Sequence, residues 1–207
     1  MGDIPRWLIW AREIQALAQT GDTYALNDYQ HERYQRFMEI AAEIVSEQSG
    51  FPQPGVTKLY RSQKGYATPK IDVRGAVFRA GKILMVQERA DGGWTLPGGW
   101  ADVGDSPSFA VEREVQEESG FEVSARRLVG VYDANRLAPL ELFHAYKLVF
   151  LCDIYNGSPK TSNETSAVDF FGRDEIPAVL SGERTLPRHL EDVFACLADP
   201  GRPVIFD

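Results

Sequence analysis

Cysteine is scarce in this 207-residue chain: Cys152 and Cys196 are the only two, and they follow no metal-binding or redox spacing. That excludes a disulfide framework and a zinc cluster, and reads as reduced thiols in a cytoplasmic protein. Also missing is any apolar run near the roughly 18 residues that a membrane span requires. The first fifteen positions, MGDIPRWLIWAREIQ, lack a basic stretch followed by an unbroken apolar one, so no secretory signal is expected. Positive charge is in deficit, with 22 Lys and Arg against 30 Asp and Glu and a net charge of −8. Such a balance argues against nucleic acid as a partner. It suits a small anionic substrate whose charge is met locally. Histidine is limited to His31, His144 and His189, each isolated and read as structural. There is no internal repeat or low-complexity segment. With 43% hydrophobic and 25% charged residues, the composition is that of a soluble globular protein with material for a core.

What is present centres on LPGGWADVGDSPSFAVEREVQEESGF, from Leu96 to Phe121. Ser106 and Pro107 form a helix start, as N-cap and first helical residue. Gly120 forms a stop, because the left-handed conformation that ends many helices suits glycine. The expected helix therefore runs from about Pro107 to Ser119. At spacings i, i+3 and i+4, Glu114, Glu117 and Glu118 share one face of it, with Arg113 alongside. Ala110, Val111 and Val115 lie next to that face and are expected to pack inward. Like charges one turn apart destabilise a helix by about 0.2–0.5 kcal/mol per pair. Carboxylates at the edge of a core demand compensation. Hard oxygen donors at this spacing suit Mg²⁺, with Mn²⁺ as the second choice. Spacing alone leaves a metal site and an acidic surface turn both open. Upstream, an apolar run ending at Trp94–Pro97 leads into Gly98 and Gly99, and Gly104 precedes the helix. This strand, glycine loop and helix N-terminus bring backbone close to an anionic group.

The stretch closely resembles the Nudix box, in which a glycine is followed six residues on by a glutamate and then by Arg-Glu-apolar-x-Glu-Glu-x-Gly-apolar. The matching positions are Gly99, Asp105, Arg113, Glu114, Val115, Glu117, Glu118, Gly120 and Phe121. Asp105 departs from the pattern by one methylene, which puts a supporting contact in doubt and not the reaction. The resemblance extends to GYATPK, DVRGAVF, WTLPGGWADVG, HAYK and SNETSAVDFF, and so covers nearly the whole chain. It implies an α/β/α Nudix sandwich with a mixed sheet. It implies hydrolysis of a nucleoside diphosphate linked to a second moiety, X. In that reading Glu114, Glu117 and Glu118, with the Gly99 carbonyl, hold Mg²⁺. Arg113 orders the carboxylates by charge-assisted hydrogen bonds. Glu117 or Glu118 serves as base through a water. Glu164, in the loop before Val168–Phe171, stands where several family members place a catalytic or metal-binding glutamate.

Taken in order, residues 1–50 read as a helical pair. Trp7, Trp10, Ile14 and Leu17 form one amphipathic stripe that ends at Gly21, and Tyr34, Phe37, Ala41 and Ile44 form another that starts near Asn27 or Asp28. The pair resembles the N-terminal extension of a Nudix subgroup that includes CDP-choline pyrophosphatases, which implies a homodimer; a cap folded onto the same chain is the alternative. Residues 51–70, rich in Gly, Pro and polar groups, read as a linker. Residues 71–207 form the catalytic domain. Its expected strands are Ile71–Arg79 and Lys82–Gln87, joined by a hairpin at Ala80-Gly81, then Glu122–Asp133, Leu142–Tyr155 and Val168–Phe171. A closing helix follows Pro187, with Leu190, Val193, Phe194 and Leu197 on one face. Strands interleaved with helices imply a layered α/β domain.

Arg74 and Arg89 sit on or just after strands leading to the box and are candidates for bidentate contact with substrate phosphates. Trp94, Trp100, Phe143 and Tyr146 are candidates for stacking a base, although aromatic residues on strands more often belong to a core. CDP-choline is the expected substrate, favoured by the helical pair and by HAYK and SNET, with ADP-ribose close behind. A nucleotide-sensing domain without catalysis is the alternative from another class. RNA processing conflicts with the acidic balance.

Overall fold

A computed structural model describes residues 5–134, 142–182 and 184–207. The chain divides into two compact units.

The first unit takes the chain up to Lys70 and the segment that ends at His144. Helix α1 spans Arg6–Thr23 and α2 spans Asp28–Ser49. Asn27 caps α2, its side chain accepting the Gln30 amide at 3.0 Å. Gly21 does not end α1, as its place in the sequence suggested. It lies inside the helix, where a Cβ would come within 2.2 Å of the Tyr34 ring. Glycine here permits close approach of two helices. The buried face of α1 is also rotated from the expected stripe. Leu8, Ala11 and Ala18 are buried, whereas Trp10 and Leu17 are 51% and 67% exposed. Small residues explain the rotation, because Ala11 meets Ala41 and Ala42 in a cluster that the wider Trp10 face would hold apart. The supposed linker is corrected too. Its middle forms helix α3, Gln53–Ser62. Pro54 in the first turn is tolerated there, and Val56 and Tyr60, one turn apart, join the Ala11 cluster. Phe143 meets the Tyr60 ring edge-on at 6.1 Å between centroids.

The second unit is a sheet between two helices. Strands β1 (Lys70–Arg79) and β2 (Lys82–Glu88) form the expected hairpin, with Phe78 opposite Ile83 and Arg79 opposite Lys82. Ala80 and Gly81 turn with φ of 50° and 77°, the two left-handed positions of a tight hairpin. Then follow β3 (Trp94–Thr95), α4 (Pro107–Ser119), β4 (Phe121–Asp133), β5 (Ala145–Gly157), β6 (Thr165–Phe171), α5 (Pro187–Ala198) and β7 (Ile205–Phe206). The order across the sheet is β3-β2-β1-β5-β4-β7, and β6 pairs antiparallel with β2. β7 runs parallel to β4, which makes the sheet mixed.

Side chains on β1 alternate between two layers. Val73 and Val77 pack with Ala110, Val111 and Val115 of α4, as expected for that face. Gly75 lies so close under α4 that a Cβ would stand 2.4 Å from Val115. On the other layer Phe78 meets Phe194 of α5 at 5.3 Å. Leu190, Val193 and Phe194 of α5 are buried, while Leu197, expected beside them, is 38% exposed. The helix limits of α4 are those read from the sequence, with Ser106 accepting the Phe109 amide at 3.2 Å and Gly120 closing at φ 77°.

Candidate active site

The carboxylate face of α4 meets the glycine turn that follows β3. Gly98 has φ of 146°, and a Cβ on it would stand 2.0 Å from the Val73 carbonyl oxygen. Only glycine fits, and the fit directs its amide. Gly98 N–H donates to Glu118 Oε2 at 2.9 Å. Gly99 is similarly confined, since a Cβ there would lie 2.7 Å from Glu114 Oε2. The Gly99 carbonyl accepts the Val73 amide at 2.8 Å, one of several bonds that clip the turn to β1.

Glu118 is 6% exposed. Burial pushes its carboxyl up to about 7, opposed by the Arg74 charge and the Gly98 amide and assisted by Glu88 and Glu114. Glu114 is also raised by burial, with Arg113 opposing. Glu117, one turn away, is 60% exposed. Arg113 ties the face together. Its guanidinium lies 2.8 Å from Glu114, 3.4 Å from Glu117 and 3.3 Å from both Asp102 and Asp105. Asp105 therefore reaches Arg113 despite its shorter side chain. Thr165 at the start of β6 donates its hydroxyl to the Glu118 carbonyl at 2.9 Å, which seats β6 on the end of α4.

The remaining candidates are distributed differently. Glu164 is exposed, next to Thr165, and its carbonyl accepts the Arg89 amide at 2.8 Å. The Arg89 side chain donates to the Ser162 carbonyl at 3.4 Å at an exposed position. Arg74 is turned inward and is 3% exposed. Its fork is filled by Asp72, at 2.9 and 2.8 Å, and a third nitrogen reaches the Leu96 carbonyl at 3.2 Å. It does not present itself to a phosphate. Sequence reasoning missed Asp72, Lys147 and Thr185, all buried around Arg74. A usable signal was there: two charges two residues apart, Asp72 and Arg74, interrupt the otherwise apolar run from Ile71 to Phe78. His189 is buried as expected of a structural histidine, held down to about 3 by burial first and by Lys147 second.

Among the described residues, no group of three or more His, Cys, Asp or Glu side chains stands ready to hold a metal ion. The donor chemistry nevertheless fits one. Three carboxylates share a helix face, two of them desolvated, and such a set of hard oxygen donors suits a divalent cation. To join a common site, the exposed Glu117 would leave its 3.4 Å contact with Arg113.

Residues 68–191 match the NUDIX domain family. The chain belongs to the Nudix family. Residues 5–60 match a second description, the UDP-X-like, N-terminal oligomerisation domain. YjhB of Bacillus subtilis (strain 168), provisionally named an ADP-ribose pyrophosphatase, is 39% identical over 203 residues, 98% of this chain and 97% of the relative. A crystal structure of an ADP-ribose pyrophosphatase from Streptococcus suis 89-1591 is 36% identical with a TM-score of 0.62, covering 68% of this chain and all of that one. A crystal structure of a UDP-X diphosphatase aligns over 98% of both chains, with 28% identity and a TM-score of 0.63. This Nudix protein is accordingly an enzyme, a pyrophosphohydrolase, of a family that generally uses divalent metal ions. No helix among its described residues is long and apolar enough to cross a membrane.

Proposed function

We propose that this Nudix hydrolase cleaves the pyrophosphate of a nucleoside diphosphate linked to a second moiety, giving a nucleoside monophosphate and a phosphorylated X, with ADP-ribose as its substrate and Mg²⁺ as its ion. One observation carries the site: Glu118, buried and bonded to the Gly98 amide, shares the α4 face with Glu114 and Glu117, and Arg113 bridges that face. The names of YjhB and of the Streptococcus suis enzyme support the substrate.

When bound, Mg²⁺ neutralises charge on the phosphate oxygens and on the leaving phosphate. Glu114, Glu117 and Glu118 would hold it, with the Gly99 carbonyl. Arg113 holds Glu114 by a 2.8 Å bond, while its longer 3.4 Å contact leaves the exposed Glu117 able to turn toward the ion. A helix glutamate, Glu117 or Glu118, takes the proton from the attacking water. Glu164, on the exposed loop that β6 holds against the end of α4, assists at the rim. Arg89 is the remaining candidate for a phosphate contact. The extension joins two copies through its N-terminal helices, as the oligomerisation description and the exposed Trp10 and Leu17 favour. Two free, buried cysteines accord with a cytoplasmic enzyme.

CDP-choline is the second reading. The full-length likeness to a UDP-X diphosphatase favours it, because uridine and cytidine are both pyrimidines. A panel of ADP-ribose, CDP-choline, UDP-linked sugars, NADH and nucleoside triphosphates, assayed with Mg²⁺ beside Glu117→Gln, separates the two. AMP from ADP-ribose, lost in the variant, supports the first reading. CMP from CDP-choline replaces it with the second, and turnover confined to nucleoside triphosphates contradicts both.

A further inference from the structure

Asp72 and Arg74 point to the same layer of β1 and make a forked ion pair, both guanidinium-to-carboxylate bonds lying under 3 Å. From Arg74 a third nitrogen donates to the Leu96 carbonyl at 3.2 Å and another contact reaches Thr95 Oγ1 at 3.4 Å. Thr185 Oγ1 accepts the Leu96 amide at 2.9 Å and lies 2.8 Å from Thr95 Oγ1. Next to Thr185, the Arg184 carbonyl accepts Lys147 Nζ at 2.6 Å. Lys147 Nζ stands 3.6 Å from Asp72 Oδ1, which closes the circuit. No residue whose side chain takes part in it is more than 6% exposed: Asp72 6%, Arg74 3%, Lys147 1%, Thr95 and Thr185 0%.

Burying one anion between two cations is a poor way to add stability, since desolvation offsets most of the attraction. It is a good way to fix geometry. The circuit grips Leu96 by both its amide and its carbonyl. Two residues on, Gly98 presents its amide to Glu118 at 2.9 Å. Between the two grips Gly75 N–H bonds the Pro97 carbonyl, and just beyond them Val73 N–H bonds the Gly99 carbonyl, both at 2.8 Å. The turn therefore has no freedom to slide along β1.

We propose that Asp72, Arg74, Lys147 and Thr185 form a buried positioning ring that sets the Leu96–Gly98 backbone, and through the Gly98 amide the Glu118 carboxylate, at the register the reaction needs. Arg74 is thus a positioning residue, and no contact with substrate is asked of it. This rests on the reading of Glu118 as a working carboxylate of the α4 face.

The test uses Thr185→Val, which keeps the shape and removes the hydroxyl that holds Leu96, Thr185→Ser, which restores it, and Arg74→Lys. For each, kcat and KM are measured on the nucleotide that the wild type cleaves. Mn²⁺ binding is measured without substrate by electron paramagnetic resonance, and the thermal midpoint is recorded. Positioning predicts that Thr185→Val loses about tenfold in kcat and about as much in Mn²⁺ affinity, the scale typical of residues that orient metal ligands. KM should hold, and Thr185→Ser should recover both losses. Arg74→Lys, which cannot make the fork, should follow Thr185→Val. Wild-type kcat and Mn²⁺ affinity in Thr185→Val overturn the ring. So does a lowered midpoint with Mn²⁺ affinity unchanged, which is a merely structural role. If Thr185→Val does not fold, Arg74→Lys decides: a defect confined to KM makes Arg74 a substrate contact and overturns the proposal. Glu118→Gln is the control. If that variant keeps full activity, the site reading fails; if it is inactive while Thr185→Val is indifferent, the ring alone fails.

Discussion

Without metal, Glu118 should make this enzyme less stable as the pH rises toward neutrality. Its carboxyl is pushed from 4.5 to about 7, chiefly by burial, and it is 6% exposed, so solvent screens little of the effect. The folded chain holds the Glu118 proton more tightly than the unfolded chain does. Its contribution is therefore fully present below the unfolded value near 4.5 and is lost as pH rises through about 7. A shift of this size corresponds to on the order of 3 kcal/mol. For a chain of this length that is a fall of roughly 6–12 °C in the thermal midpoint. Melts between pH 5 and 8.5 in EDTA, followed by near-ultraviolet circular dichroism, should show it. Glu114 is also raised, so the Glu118 share is read from the difference between wild type and Glu118→Gln. The variant carries no proton to lose and should be the more stable protein at pH 8, with the gap closing toward pH 5. Mg²⁺ should stabilise the wild type more at pH 8 than at pH 5.5. Parallel curves for the two proteins across the range would refute the reasoning.

Gly98→Ala should reduce turnover by at least about a hundredfold, because strain of 1–3 kcal/mol at such a backbone position comes on top of a Cβ placed 2.0 Å from the Val73 oxygen; steady-state kinetics check it, and near-normal turnover contradicts it. Arg113→Lys should weaken Mn²⁺ binding and lower kcat about tenfold, since one ammonium cannot span Asp105 and Glu114 together; titration by electron paramagnetic resonance reads the loss. Glu164→Gln should lower kcat without abolishing it, and an unchanged rate removes Glu164 from the site. Gly21→Ala should lower the thermal midpoint, because its Cβ would stand 2.2 Å from the Tyr34 ring and the ring must turn away; an unchanged midpoint would contradict the close approach of the two helices.

Where the sequence encodes a local rule, the structure follows it. Ser106, Pro107 and Gly120 delimit α4 because capping is decided within a few residues. Ala80-Gly81 turns β1 into β2 for the same reason. The carboxylate face was legible because helix geometry alone puts Glu114, Glu117 and Glu118 together. Tertiary contacts decide the rest. Gly21 resembles a helix stop until Tyr34 is seen beside it, and residues 53–62 resemble a linker until Val56 and Tyr60 find the Ala11 cluster. Trp10 and Leu17 face outward because Ala41 and Ala42 select the narrower face of α1. β7, two residues long, gains its identity from pairing with β4, far earlier in the chain. Arg74 is the instructive case. Its position beside the box suggested a phosphate ligand, but whether an arginine points outward or inward depends on Asp72, Leu96 and Thr95 around it.

The most direct measurement is release of nucleoside monophosphate from ADP-ribose and CDP-choline by the purified protein, with Mg²⁺ and with EDTA, beside a folded Glu118→Gln variant. The account predicts Mg²⁺-dependent release from one of the two, abolished by EDTA and by the substitution. Turnover that survives in Glu118→Gln, or that needs no divalent ion, would contradict it.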